Sequence, residues 1–534
     1  MSQSSGSADP ISTTVAAGYA FDGPALELGG LMTDASTLTD VRVRIPLAML
    51  NRHGLVAGAT GTGKTKTLQL LAEQLSAQGV PVFAADIKGD LSGLSTPGTD
   101  NPKVVERAAS VGQQWQAAGH PVEYFAIGGE GTGIPLRVTM TAFGPVLLSK
   151  VLGLNDTQES SLGLVFHYAD KAGLPLLDLS DLREVVKHLT SEEGKADLKE
   201  LGGLSSATAG VILRELIAFS DQGADAFFGE PELESSDLLR TAPDGRGVIS
   251  LVELPRLQDR PAIFSTFLMW LLADLFHDLP EVGDVEKPKL VFFFDEAHLL
   301  FNDASKAFLD SIAQTVRLIR SKGVGVFFVT QSPTDVPDTV LAQLGSRVQH
   351  QLRAATPNDA KALKQTVATY PHSAYDDLGQ VILSLGIGEA IVTVMNERGA
   401  PTPVAWTRLR APQSLMGPAD AAAMEATVTG SSLHAKYAVA VDRESAREIL
   451  AGKLEAGAEK ARAEQEAREA PADTPDERLR REGERATRPR SGSRPRARQE
   501  KSMAEQVIGS TAFKQVVRTA AREIVRGMFR TGRR

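Results

Sequence analysis

The chain has 534 residues, enough for two or three domains, and 42% of them are hydrophobic, an ordinary share for a globular protein. It contains no cysteine, which excludes a disulfide framework, a thiolate metal site and a thiol nucleophile, and its nine histidines show no HExxH or similar ligand spacing. The formal net charge of -9 hides an asymmetry: from Arg485 onward fourteen Lys or Arg stand against three Glu, so a basic tail suited to an anionic partner follows an acidic body.

In chain order, MSQSSGSADPISTT is polar and lacks a basic segment followed by an apolar one, so it does not read as a secretory signal, and residues 1–20 read as disordered. Residues 21–139 begin with ALELGGLMTDASTLTDVRVRIPLAML, read as short strands because VRVRI alternates and turn residues divide the run. HGLVAGATGTGKTKTLQLLAEQLSAQG then reads as strand, Gly-rich turn and helix, and VPVFAADIKGD as a second short strand, the start of a parallel α/β unit.

Residues 140–240 change character. VLLSKVLGLNDTQESSLGLVFHYADKAG, LSDLREVVKHLT and SSATAGVILRELIAFS all carry helical spacing, and a helical insertion is expected there. The α/β pattern resumes over residues 241–412 with GVISLVEL, the helix IFSTFLMWLLADLFHDL, the strand LVFFFDEAHLL, the helix AFLDSIAQTVRLIRSKG and the strand VGVFFVTQS. SRVQHQLRA, a helix near NDAKALKQTVA, and the strands EAIVTVMN and PVAWTRLRA close it. The most apolar helical run, IFSTFLMWLLADLF, is broken by Asp274 and falls short of the ~18 to 20 residues that span a bilayer, so a cytoplasmic protein is expected. Residues 413–484 read as a charged helical segment, and residues 485–534 as a basic Pro- and Arg-rich linker followed by an amphipathic helix.

The chemistry concentrates at strand ends. GATGTGKT satisfies GxxxxGK[ST] between a strand and a helix, the context that marks a phosphate-binding P-loop. The stretch Gly58, Ala59, Thr60, Gly61, Thr62, Gly63, Lys64, Thr65 and Lys66 is expected to wrap the phosphates of ATP, with Lys64 reaching the outer phosphates and the Thr65 hydroxyl offered to Mg2+. Asp295 and Glu296 end the apolar run VFFF, where the first can hold the Mg2+ hydration shell and the second can polarise the attacking water. Gln331 ends VGVFFVT and can report the terminal phosphate or the water. Arg347 in LGSRVQHQLR can stabilise the charge on the transferred phosphoryl group, in cis or from a neighbouring subunit, and Arg353 is the other candidate. In ADIKGDLSGL, Asp86 and Asp90 are candidates to act on water or Mg2+, and Lys88 to face a ligand or the next subunit; a solvated turn is the competing reading. His298 is expected to be a helix-start residue.

Together GATGTGKT, DIKGDLSGL, VFFFDEAHLLF, RLIRSKGVGVFFVTQSPTDVP and LGSRVQHQLR resemble the HerA-like ATPases of the HerA/FtsK superfamily, and most of all their bacterial branch, over roughly residues 40–412. The resemblance implies an α/β P-loop NTPase fold of the additional-strand, catalytic-glutamate type that binds ATP and Mg2+. It also implies a homo-oligomeric ring, usually hexameric, that translocates double-stranded DNA or, as in secretion-type relatives, acts on a protein or membrane-associated assembly. Lys64, Thr65, Asp295, Glu296 and Gln331 match the family's motif positions one by one, and Arg347 matches its trans-acting arginine by place. Only 57 residues precede Gly58, too few for the β-barrel that archaeal HerA carries there. The string DEAH is not a DEAH-box signature here, since the next motif strand ends in VTQSP and no QxxGRxGR pattern follows. The basic tail is expected to meet DNA phosphates, an anionic membrane or a partner protein.

Overall fold

The computed structural model describes residues 10–469 apart from 34–35, 130, 199–201, 255–260, 284, 302–305 and 372. The expectations for residues 1–9 and for the basic linker and C-terminal helix lie outside the described residues, but in the rest of the segment expected to be disordered Pro10–Gly18 form a helix, anchored by the buried Val15 and by Tyr19, whose hydroxyl donates to Val392 O at 3.0 Å. Two compact units are divided after Arg443. The described part of the second consists chiefly of the helix Ala446–Glu469, whose Ala-, Glu- and Arg-rich sequence suits a largely solvated helix.

The first unit is built on one sheet. Its strands are β1 (Ala25–Met32), β2 (Thr37–Pro46), β3 (Gly54–Ala57), β4 (Val82–Asp86), β5 (Val122–Ile127), β6 (Ile134–Leu136), β7 (Ile249–Glu253), β8 (Leu290–Phe294), β9 (Val324–Thr330), β10 (Ser346–Gln349), β11 (Glu389–Thr393) and β12 (Ala405–Leu409). Among the described residues they lie in the order β2-β1-β12-β11-β10-β3-β9-β8-β4-β7-β5-β6. From β10 to β6 every pairing is parallel, and from β10 outward to β2 every pairing is antiparallel.

The parallel part explains the apolar runs. A parallel sheet carries its crossover helices on its two faces, so its strands must be apolar on both, and β4, β7, β8 and β9 are buried along their whole length. Aromatic side chains zip β8 to its neighbours: Phe83 meets Phe292 with ring centroids 4.9 Å apart, Phe293 meets Phe327 at 5.4 Å and Phe294 meets Phe328 at 5.6 Å. The strand β9 lies between β3 and β8 although it follows both in the chain, and this is the additional strand of the expected fold class.

The residues ahead of the P-loop extend the sheet. β1 and β2 pair with each other and β1 pairs with β12, so these two strands form the antiparallel edge.

Between β6 and β7 the chain is mainly helical, including Met140–Val151, Asp156–Lys171, Leu179–Thr190 and Ser206–Asp221. Each of these helices starts at a polar cap: the side chains of Thr139, Asn155, Asp178 and Ser205 accept hydrogen bonds from backbone N–H groups of the first turn that have no helical partner. The apolar helix Pro261–Asp278 is explained by burial in the body of the unit, where Phe267 and Trp270 are almost fully enclosed. No helix among the described residues is long and apolar enough to cross a membrane.

Candidate active site

The P-loop leaves β3 at its C-terminal end and closes into the helix Lys64–Ala77. Gly63, at φ 113, occupies backbone space that side-chain-bearing residues rarely adopt. Gly58 is required for a different reason: a Cβ there would lie 2.5 Å from the Cβ of His350. The loop is anchored from neighbouring segments. Gly58 N donates to Thr330 O (3.2 Å), Ala59 N to Gln351 O (2.8 Å), and Gly388 N to Thr62 O (3.0 Å). Within the loop, Thr62 Oγ1 and Lys64 Nζ both donate to Ala59 O, at 2.8 and 3.2 Å.

Lys64 is 7% exposed, and burial together with the nearby Lys88 holds its ammonium below the ordinary lysine range, against the pull of Glu296 and Asp295. Thr65 lies in the first helical turn, and Lys66 donates to Gln69 of the same helix (3.3 Å). Gly61 and Thr60 form the exposed tip of the loop. Arg353 reaches this tip, with Nη2 3.3 Å from Thr60 O.

Two strands away, β8 delivers its carboxylates. Asp295 is 1% exposed; one oxygen accepts from Glu296 N (2.9 Å) and the other, Oδ2, is buried with no hydrogen-bond partner among the described residues. Burial, reinforced by the adjacent Glu296, pushes its carboxyl up to about 7. Glu296 has φ 46, a left-handed backbone that is uncommon outside glycine and is often found at functional sites. Lys88 Nζ donates to Glu296 Oε1, and His298 Nδ1 lies 3.2 Å from Oε2 without hydrogen-bond geometry. Burial would raise the Glu296 carboxyl, but Lys88, His298 and Lys64 together outweigh it and hold the group below its ordinary value.

Gln331 follows β9 directly. Thr330 and Ala57 are partners in the β9–β3 register, so the exposed glutamine stands level with the first glycine of the P-loop. The fold therefore gathers Lys64, Asp295, Glu296 and Gln331 at the C-terminal edge of three adjacent strands.

Arg347 is placed differently. It sits inside β10, opposite Leu55 of β3 and two residues short of the strand end. Its guanidinium donates to Thr369 O (3.1 Å) and lies 5.8 Å from the centre of the Tyr370 ring, so it is engaged within its own chain.

Three further placements were not legible in the sequence. Asp86 is fully buried and accepts from Gly89 N (2.7 Å) and Leu91 N (2.8 Å), which shapes the turn carrying Lys88. Asp86 is also in register with Glu253 of β7; burial, aided by the other carboxyl, pushes Glu253 up to about 8. His350 lies beneath the P-loop, 2.9 Å from Thr67 Oγ1, and burial and Lys64 bring its ring down to about 4, so it is neutral there. His298 begins a helix, as its position suggests, and also faces Glu296.

The residues fit a nucleotide with a divalent cation. Backbone N–H groups of a glycine-rich loop open a helix, the Thr65 hydroxyl stands in its first turn, and Asp295 Oδ2 is an orphaned buried oxygen of the kind a hydrated Mg2+ would satisfy.

Comparison with known proteins bears on the family and the fold. A family model described as "Helicase HerA-like C-terminal" matches residues 32–534. The "DNA double-strand break repair helicase HerA" of Saccharolobus solfataricus is 23% identical over 364 residues, covering 66% of this chain and 64% of that protein. A "Probable helicase MJECL08" of Methanocaldococcus jannaschii is 32% identical over 154 residues, 27% of this chain and 28% of its own. The chain thus spans less than two thirds of the length of these curated relatives. Among solved structures, the bacterial conjugative coupling protein TrwBdeltaN70 shares the fold with a TM-score of 0.50 at 17% identity, over 77% of this chain and 93% of its own.

Proposed function

We propose that this chain, which belongs to the helicase HerA-like C-terminal family, hydrolyses ATP as a subunit of a cytoplasmic ring, hexameric in its simplest form, that moves along double-stranded DNA. The observation that carries the reading is the convergence of Lys64, Asp295, Glu296 and Gln331 at one sheet edge, with β9 between the two strands of the P-loop and the carboxylates.

In this reading the P-loop backbone and Lys64 bind the phosphates, and Thr65 and Asp295 hold Mg2+, which supplies charge neutralisation on the phosphate oxygens. Glu296 takes a proton from the attacking water. Gln331, level with Gly58, orients that water or senses the terminal phosphate. Of the two candidate arginines, Arg353 touches the loop in cis, whereas Arg347 serves a neighbouring site only by giving up Thr369 and Tyr370. The DNA assignment is supported by the family and by the basic residues from Arg485 onward, which can make sequence-independent, salt-sensitive phosphate contacts.

The test is the ATPase rate of the wild type, Lys64→Ala and Glu296→Gln with double-stranded DNA, single-stranded DNA or anionic liposomes at two salt concentrations. Glu296→Gln is expected to bind ATP while turnover falls about a hundredfold or more, and Lys64→Ala to lose both. Stimulation by double-stranded DNA that weakens with salt supports the motor reading. Stimulation by liposomes alone would move the load to a membrane assembly, and wild-type turnover by Glu296→Gln would remove that residue from the chemistry.

A further inference from the structure

Glu296 is the group assigned to the water, yet both of its oxygens face a neighbour: Oε1 accepts from Lys88 Nζ and Oε2 lies 3.2 Å from His298 Nδ1. A carboxylate paired with an ammonium is a weaker base, so this contact must loosen before Glu296 can act. The two partners differ in freedom. The Glu296 side chain is 8% exposed and stands on a backbone fixed at φ 46, whereas the Lys88 side chain is 42% exposed.

The backbone beneath Lys88 is held in place. Asp86 closes the turn by accepting from Gly89 N and Leu91 N, and β4 runs parallel to β8 as its direct neighbour. Lys88 is thus a long cationic arm on a rigid base, at the same sheet edge as Lys64. A terminal phosphate offers more charge and more acceptor oxygens than one carboxylate, and it would compete for that arm.

We propose that Lys88 is a terminal-phosphate ligand shared with Glu296: it pairs with the carboxylate until a nucleoside triphosphate enters, then moves to the phosphate and frees Glu296 to accept the proton of water. The proposal rests on the ATPase reading above. It makes the base available only when a third phosphate is present, because a diphosphate offers Lys88 nothing at that position.

A four-protein comparison tests it. The affinities of a non-hydrolysable ATP analogue and of ADP, each with Mg2+, are measured for the wild type, Glu296→Gln, Lys88→Met and the double variant, with thermal melting to verify folding. Removing the Glu296 charge with Lys88 present is expected to tighten the analogue about tenfold, the scale of one charge-assisted hydrogen bond. With Lys88→Met the same change should give less than about half that factor, and ADP should shift less than about twofold throughout. Simple charge repulsion predicts the opposite order, with a gain as large or larger when Lys88 is absent. That result, an equal shift for ADP, or no gain at all would overturn the proposal. Should Lys88→Met fail to fold, Lys88→Gln replaces it in the same comparison. Lys64→Ala separates the two levels: if it binds both nucleotides as the wild type does, the ATPase reading fails, and if it loses both, only the role of Lys88 is in question.

Discussion

His53 provides a test of how the base of the P-loop strand is held. It directly precedes β3, is 2% exposed and has φ 61. Its Nε2 lies 2.7 Å from Val316 O, and its Nδ1 accepts from Val326 N at 3.1 Å. Only the neutral ring with its proton on Nε2 satisfies both contacts, because protonation of Nδ1 would set two N–H groups against each other. Burial accordingly brings the ring from its ordinary 6.5 down to about 4.

Above pH 6.5 the ring is neutral folded and unfolded, and its stabilising contribution is complete. As pH falls from 6.5 to 4 only the unfolded chain takes up the proton, so stability drains at about 1.4 kcal/mol per pH unit, about 3 kcal/mol in all. At φ 61 and ψ 173 any residue with a Cβ is strained, and asparagine keeps the Cβ that histidine has, so His53→Asn removes the titrating group while any change in backbone strain stays independent of pH. The unfolding free energies of wild type and His53→Asn, from urea titrations at pH 7, 6, 5 and 4, should therefore converge by about 3 kcal/mol on going down. Other titrating groups are shared by both proteins and cancel in the difference. A difference that stays constant within about 0.5 kcal/mol across this range would refute the reasoning.

Two substitutions probe neighbouring parts of the unit. Glu73, on the helix that follows the P-loop, is 2% exposed and accepts from Gln413 N and Ser414 N at 2.8 Å each. Glu73→Ala leaves the buried Ser414 N–H and the half-buried Gln413 N–H without this acceptor and is expected to cost about 2 to 4 kcal/mol by thermal or urea unfolding, with Glu73→Gln milder; an unchanged midpoint for the alanine variant would contradict this. Arg347→Ala should cost about 1 to 2 kcal/mol of stability through loss of Thr369 and Tyr370. Arg347→Ala alone should keep its ATPase turnover; an inactive Arg347→Ala that regains activity when mixed with Glu296→Gln subunits would instead place Arg347 in a neighbour's site.

The motifs were legible in the sequence because their meaning is local. A glycine-rich turn between a strand and a helix, two carboxylates after VFFF and a glutamine after VGVFFVT each follow from periodicity and backbone chemistry within about a dozen residues. The same holds for the helices after β6, whose polar caps stand directly before their helical runs.

Periodicity alone did not fix the order of the strands, since any order leaves the same apolar pattern on a strand buried on both faces; the additional strand was expected only from the family resemblance. The fold places β9 between β3 and β8 by pairing segments far apart in the chain. The partners of the site residues follow from that order. Lys88 and Glu296 are separated by 208 positions and meet because β4 and β8 are neighbours. Arg347 follows Gln331 as an active-site arginine would, yet the pairing of β10 with β3 and the turn at Thr369 direct it elsewhere. The sequence by itself determined which polar and charged residues stand at the strand ends. The tertiary structure decided which charges face one another, because long-range pairing, not local pattern, sets the distance between them.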